Sequence, residues 1–190
     1  MNEPAVPNLK FERGYRYRGL RDTTVHYDEN VVRLAMNYRN AFMRLALYYI
    51  NVMHDNAKAV QTLDSMRTKL PSTVLPMDYR VEYDIANFYQ FAGAKDRYEE
   101  LTKNLESKLL VIVSKPVLEP FTNQYHPYYM LFSLYQTRGE YDKALEILDR
   151  ISTAYPGVAG LPDWVKAQKA QVQTQKALKG MTPKDTLAKK

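Results

Sequence analysis

Three observations predict an all-α chain. Apolar residues recur at steps of three and four through most of residues 28–178, the spacing that collects them on one face of a helix. Prolines and glycines gather at a few breaks between these periodic stretches. The breaks divide the stretches into about three helix pairs followed by one more helix, which fits a stack of α-α hairpins closed by a C-terminal capping helix.

The first helix is expected to start at Asp28 or Asn30, either of which can cap it, with Val31, Leu34, Tyr38, Phe42, Leu45, Tyr49 and Val52 on its apolar face. The "HDNAKA" stretch turns the chain into a second helix carrying Ala59, Val60, Leu63, Met66 and Leu70, stopped by Pro71. "PSTVLPMD" is a linker with two prolines. A third helix starts near Asp78 with Val81, Ile85, Phe88 and Tyr89, and ends at "FAGAKD". A fourth spans about Lys95 to Leu110, with Tyr98, Leu101, Leu105 and Leu109.

"VIVSKPVLEPFTNQYHP" carries three prolines and is expected to be an extended connector. The fifth helix, "YYMLFSLYQTR", and the sixth, "YDKALEILDRISTAY", are separated by Gly139 and halted at Pro156-Gly157. The last helix has Pro162 at its start, where proline is tolerated, and a thin stripe of Trp164, Val165, Val172 and Leu178. Residues 1–27 are read as an extended basic arm, 28–178 as the helical domain and 179–190 as a basic disordered tail.

The third pair carries Tyr128, Leu131, Tyr135, Gly139, Tyr141, Ala144, Leu148 and Pro156. This pattern resembles the tetratricopeptide repeat, with a large residue opening the first helix, glycine at the turn, a small residue in the second helix and proline at the end. The middle pair keeps Ile85, Ala86, Tyr89 and Gly93 but has Tyr98 at the small position; the first keeps Ala59, Leu63, Met66 and Pro71. The spacing departs from the regular period of about 34 residues, so the expected form is a degenerate tetratricopeptide-like superhelix, with an ordinary helical bundle as the alternative.

A second resemblance rests on "YRYRGL", "VHYDENVVRLAMNYRNAFMRLA" and the following helix pair, over roughly Phe11 to Leu110. It is to the soluble C-terminal region of bacterial multi-spanning membrane proteins that are themselves similar to GT-C glycosyltransferases of the protein O-mannosyltransferase type. The resemblance implies a tail on the extracytoplasmic side, with a cytoplasmic location as the alternative. It brings no catalytic residue, because the membrane half that would carry one has no counterpart in this chain. An accessory role in protein O-glycosylation is its alternative implication. Residues 11–27 would then be an extended strap from a membrane boundary onto the first helix pair, with the tyrosines packed and the arginines solvated or near anionic headgroups that attract each basic residue by about 1 kcal/mol; the alternative is a solvated arm without a partner.

The net charge of +6 is unevenly placed: +3 over residues 1–21, +6 over residues 166–190 and −3 between them. A nucleic-acid-binding fold carries its basic stripe on the folded body, so this distribution argues against that class. The longest apolar run, Leu45 to Met53, is far short of the roughly 20 residues of a membrane-spanning helix. The first residues lack the pattern of a secretory signal. There is no cysteine, which removes thiolate ligands and cysteine nucleophiles.

His26, His54 and His126 lack metal-ligand spacing and are expected on the surface or in turns. The acidic pairs Glu99-Glu100 and Glu140/Asp142 fall at helix starts, where carboxylates favour the helix dipole. The sequence therefore points to a non-catalytic protein- or peptide-interaction domain, with no cofactor and no metal. Its binding groove would be lined by the first helix of each pair, presenting Arg44, Tyr48 and Asn51, then Arg80, Tyr83, Asn87 and Gln90, then Tyr129, Ser133 and Gln136. Arginine and asparagine can hold a peptide backbone or carboxylate, and tyrosine offers rigid contact area. The alternatives are half-exposed helix residues with no ligand, or a groove filled by the chain's own N-terminal strap.

Overall fold

Asp28 starts the first helix by accepting a 2.9 Å hydrogen bond from the Val31 amide, satisfying one of the free donors of the first turn. The computed structural model describes residues 19–180. Seven helices follow in order: α1 Glu29–Asn51, α2 Asn56–Lys69, α3 Tyr79–Phe91, α4 Lys95–Val113, α5 Pro127–Arg138, α6 Tyr141–Ala154 and α7 Leu161–Gly180. Among the described residues there is no strand. The chain is all-α.

Asp55 and Asp78 cap α2 and α3 as Asp28 caps α1, through bonds of 3.0 and 2.8 Å from the amides of Lys58 and Arg80. α4 and α6 have no side-chain cap and place Asp96 and Asp142 in their first turns. Gly93 and Gly139 close the two tightest turns at φ +76° and +70°, in the left-handed region that a β-carbon disfavours.

Each first helix packs chiefly on its hairpin partner, α1 on α2, α3 on α4 and α5 on α6. α4 then packs on α5 and α6 on α7, while α3 touches both helices of the first hairpin more lightly. Ala59 and Ala144 are fully buried where the second helix of a hairpin approaches the first. Tyr98, in the same place on α4, is also buried, and burial pushes its hydroxyl up to about 12. The fold thus accepts a ring where a small residue was expected.

Four sequence expectations change. α4 runs to Val113 because no glycine or proline stops it before Pro116, and Val113 is buried while its carbonyl faces the Tyr128 hydroxyl. Residues 19–27 are not extended: the Asp22 amide donates to the Gly19 carbonyl, and the Tyr27 hydroxyl returns to the same oxygen at 2.5 Å. The remainder of the arm, residues 1–18, and the tail from 181 onward lie outside the described residues, while α7 continues through 179 and 180. On α1 the inward face is not the predicted one. Ala35, Arg39 and Ala46 are buried, whereas Leu34, Leu45 and Val52 are exposed.

Arg39 explains that rotation. It lies on the inner face of α1, is fully buried, and donates through Nη2 to the carbonyls of Leu70, at 3.1 Å, and Leu75. These carbonyls belong to the linker that leads from α2 to α3, so one guanidinium ties the first hairpin to the second. Burial lowers its pKa, opposed by the nearby Glu82 carboxylate.

Candidate functional site

The structure divides the ten predicted groove residues into two groups. On α1, Arg44, Tyr48 and Asn51 are exposed on one side of the helix, as their spacing of four and three requires. Arg44 makes no hydrogen bond or ion pair among the described residues. Leu45 and Val52 are exposed beside them, so this face combines apolar, cationic and amide groups in solvent.

On α3 and α5 the predicted residues other than Gln90 instead bind one another or the fold. Tyr83 is buried and donates to Ser133 Oγ at 2.9 Å, and the Asn87 side chain also bonds to it. Burial raises the Tyr83 hydroxyl, and these two bonds oppose the shift. Tyr83 therefore sits between α3 and α5, not on an open wall. Arg80 pairs with Glu119 at 2.7 Å and Asp78 at 3.5 Å. Gln136 donates to Gln175 of α7 at 3.3 Å, and Tyr129 lies against Trp164 with ring centroids 6.0 Å apart. Gln90, near the end of α3, is exposed.

A cleft of about 830 Å³ lies between α2, the linker and α4, with Arg39 of α1 and Glu82 and Ile85 of α3 also in its wall. Apart from Arg39, which bonds to main-chain carbonyls, its charges are paired with each other. Arg67 meets Glu100 at 2.7 Å, Arg97 meets Asp64 at 3.2 Å, the Tyr89 hydroxyl donates to Asp64 at 2.7 Å, and Lys108 holds Glu82 at 2.5 Å. Hydrogen bonding by Arg67 lowers the Glu100 carboxyl against weak burial. Each of these carboxylates is already neutralised, which suits a brace between hairpins better than a proton-transfer site.

The sequence reading missed His126. It is buried at the start of α5, with Nε2 2.9 Å from the Tyr155 hydroxyl, and it packs beside Phe121 and Tyr128. Burial lowers its pKa, countered by interactions with Glu119. Proline at 127 and the aromatic residues on both sides were the available signal. Phe121 and Trp164, 5.6 Å apart, extend this cluster to α7.

Among the described residues, no group of three or more histidine and acidic residues could hold a metal, and no helix is long and apolar enough to cross a membrane. Compared with protein-family models, with curated proteins and with solved structures, the chain matches none.

Proposed function

We propose that the chain is a non-catalytic protein- or peptide-interaction domain, serving as the soluble tail of a membrane glycosyltransferase-like protein. The observation that supports interaction is the outer face of α1, where Leu45 and Tyr48 are 43% and 48% exposed beside Arg44 and Asn51. Large apolar side chains in a row on a stable helix are a common mark of a contact surface. Tyr83, Asn87, Ser133 and Gln136 are engaged in bonds within the fold, so this reading puts the working part of the predicted groove at its α1 end. The tail assignment rests on the resemblance over Phe11 to Leu110.

The test is retention of proteins from a membrane extract on the immobilised full chain, read by mass spectrometry. Arg44→Ala, Tyr48→Ala and Asn51→Ala combined should abolish retention of a protein that wild type holds. A control with Lys103→Ala and Arg150→Ala, both exposed and remote in sequence, should retain it. Equal retention by all three proteins contradicts the proposal. A multi-spanning glycosyltransferase-like protein among the retained species, or encoded in the same reading frame, supports the tail assignment.

A further inference from the structure

α1 has two apolar faces and the described fold uses one of them. Ala35 and Ala46 are buried, with Phe42 and Tyr49 half-buried against the core. On the outside, Leu34, Ala41, Leu45, Tyr48 and Val52 follow at steps of seven, four, three and four, and all five are exposed. The steps of four, three and four from Ala41 to Val52 follow the a/d seam of a heptad repeat, and Leu34 lies one heptad before Ala41; Tyr38, between them, is half-buried and packs against the core. The seam is about 27 Å long at 1.5 Å per residue. Singly scattered exposed apolar residues are ordinary; a line of them at heptad spacing along one helix is not.

The flank of the seam is specific too. Asn37, Arg44 and Asn51 recur at steps of seven along one side, and Arg33 lies on the same side. Between Asn30 and Val52 there is no aspartate or glutamate. The seam is thus bordered by amides and unopposed positive charge, a pattern complementary to acidic flanking positions on a partner helix. A second copy would meet this face with an identical cationic flank. A membrane-surface helix has a broad apolar face set against a strongly charged one, whereas this stripe is narrow and its border is largely asparagine.

We infer that the outer face of α1 docks an amphipathic helix whose apolar heptad seam is flanked by acidic residues. This rests on the interaction-domain reading and adds the class of partner: a helix-in-groove mode with anchors at Leu34, Leu45, Tyr48 and Val52, and polarity read by Arg44.

The experiment uses the full chain and two fluorescein-labelled three-heptad helical peptides, both with leucine at a and d, one with glutamate and one with lysine at the flanking positions. Anisotropy should show binding of the glutamate peptide, with the lysine peptide at least tenfold weaker. Leu45→Glu and Tyr48→Glu should each weaken the glutamate peptide by at least tenfold with helical circular dichroism unchanged, since both residues are exposed. Arg44→Ala should weaken it several-fold and reduce its salt dependence.

A Kd weaker than about 100 µM for the glutamate peptide, or equal binding of the two peptides, overturns the inference. So does sedimentation as a dimer that Leu45→Glu dissociates, which would make a second copy the occupant. Binding to anionic vesicles lost in Leu45→Glu would make it a lipid surface, and also overturns it. Because the chain has no cysteine, a disulfide formed within one molecule by Tyr17→Cys with Leu45→Cys would assign the face to the chain's own N-terminal segment, with the same consequence. If the peptides fail while the membrane-extract protein is still lost from the Arg44, Tyr48 and Asn51 variant, the helix inference falls and the interaction domain stands.

Discussion

The guanidinium of Arg39, fully buried on α1, donates to the main-chain carbonyl of Leu75, 36 residues further along the chain. The same Nη2 also reaches the Leu70 carbonyl. Both acceptors lie outside helical ladders, where a buried carbonyl without a partner is costly. Arg39→Ala should therefore lower unfolding free energy by about 3 kcal/mol, since a buried charged donor and two acceptors lose each other. Arg39→Lys should recover only part of this, because an ammonium lacks the planar fork. Urea denaturation of the three proteins measures the order.

Tyr83 and Ser133 join α3 to α5 through one hydroxyl pair. Tyr83→Phe and Ser133→Ala should each cost about 1 kcal/mol, and the double variant should cost less than their sum, because the second removal takes nothing further from the pair. A double-mutant cycle by thermal unfolding checks this. Neither substitution should alter binding at the α1 face.

Burial holds His126 below its ordinary value of 6.5, against the opposing pull of Glu119. As pH falls, the unfolded chain takes up its proton first, so stability drops from about pH 6.5 downward until the folded histidine also protonates. His126→Gln should be less stable at neutral pH, having lost the contact with Tyr155, and should show a flatter stability profile between roughly pH 7 and pH 5. Chemical denaturation at a series of pH values reads both effects.

Gly93 and Gly139 share left-handed backbone but have different surroundings. A β-carbon on Gly93 meets nothing within 4 Å, whereas one on Gly139 would lie 2.7 Å from Lys179 Nζ. Gly93→Ala and Gly139→Ala should each cost roughly 1–2 kcal/mol for the backbone. The two should differ little, because the lysine end can swing away. Melting temperatures compared with Lys179→Ala separate the contributions.

Helix existence, order and most ends could be read from the sequence because periodicity, aspartate caps and the two turn glycines act locally. The inward face of α1 could not. It contains more apolar residues than one side can bury, and the choice between sides is made by Arg39 reaching a linker more than thirty residues away, which a hydropathy pattern assigns to solvent. His126 was misplaced for the same reason: a titratable residue in a proline-rich connector looks exposed until Phe121, Tyr128 and Tyr155 are brought around it. Of the groove, the α1 residues were found in solvent, while Tyr83 was drawn into the helix interface by a partner fifty positions away.

The outer face of α1 is proposed to contact a protein. The most direct test places a photo-crosslinking amino acid at Tyr48 and, in a separate variant, at Arg150 on α6, in the full-length chain within the cells that express it. A crosslinked species of defined mass at Tyr48 and none at Arg150 is the expected result. No crosslink at Tyr48, or the same products from both positions, would contradict it.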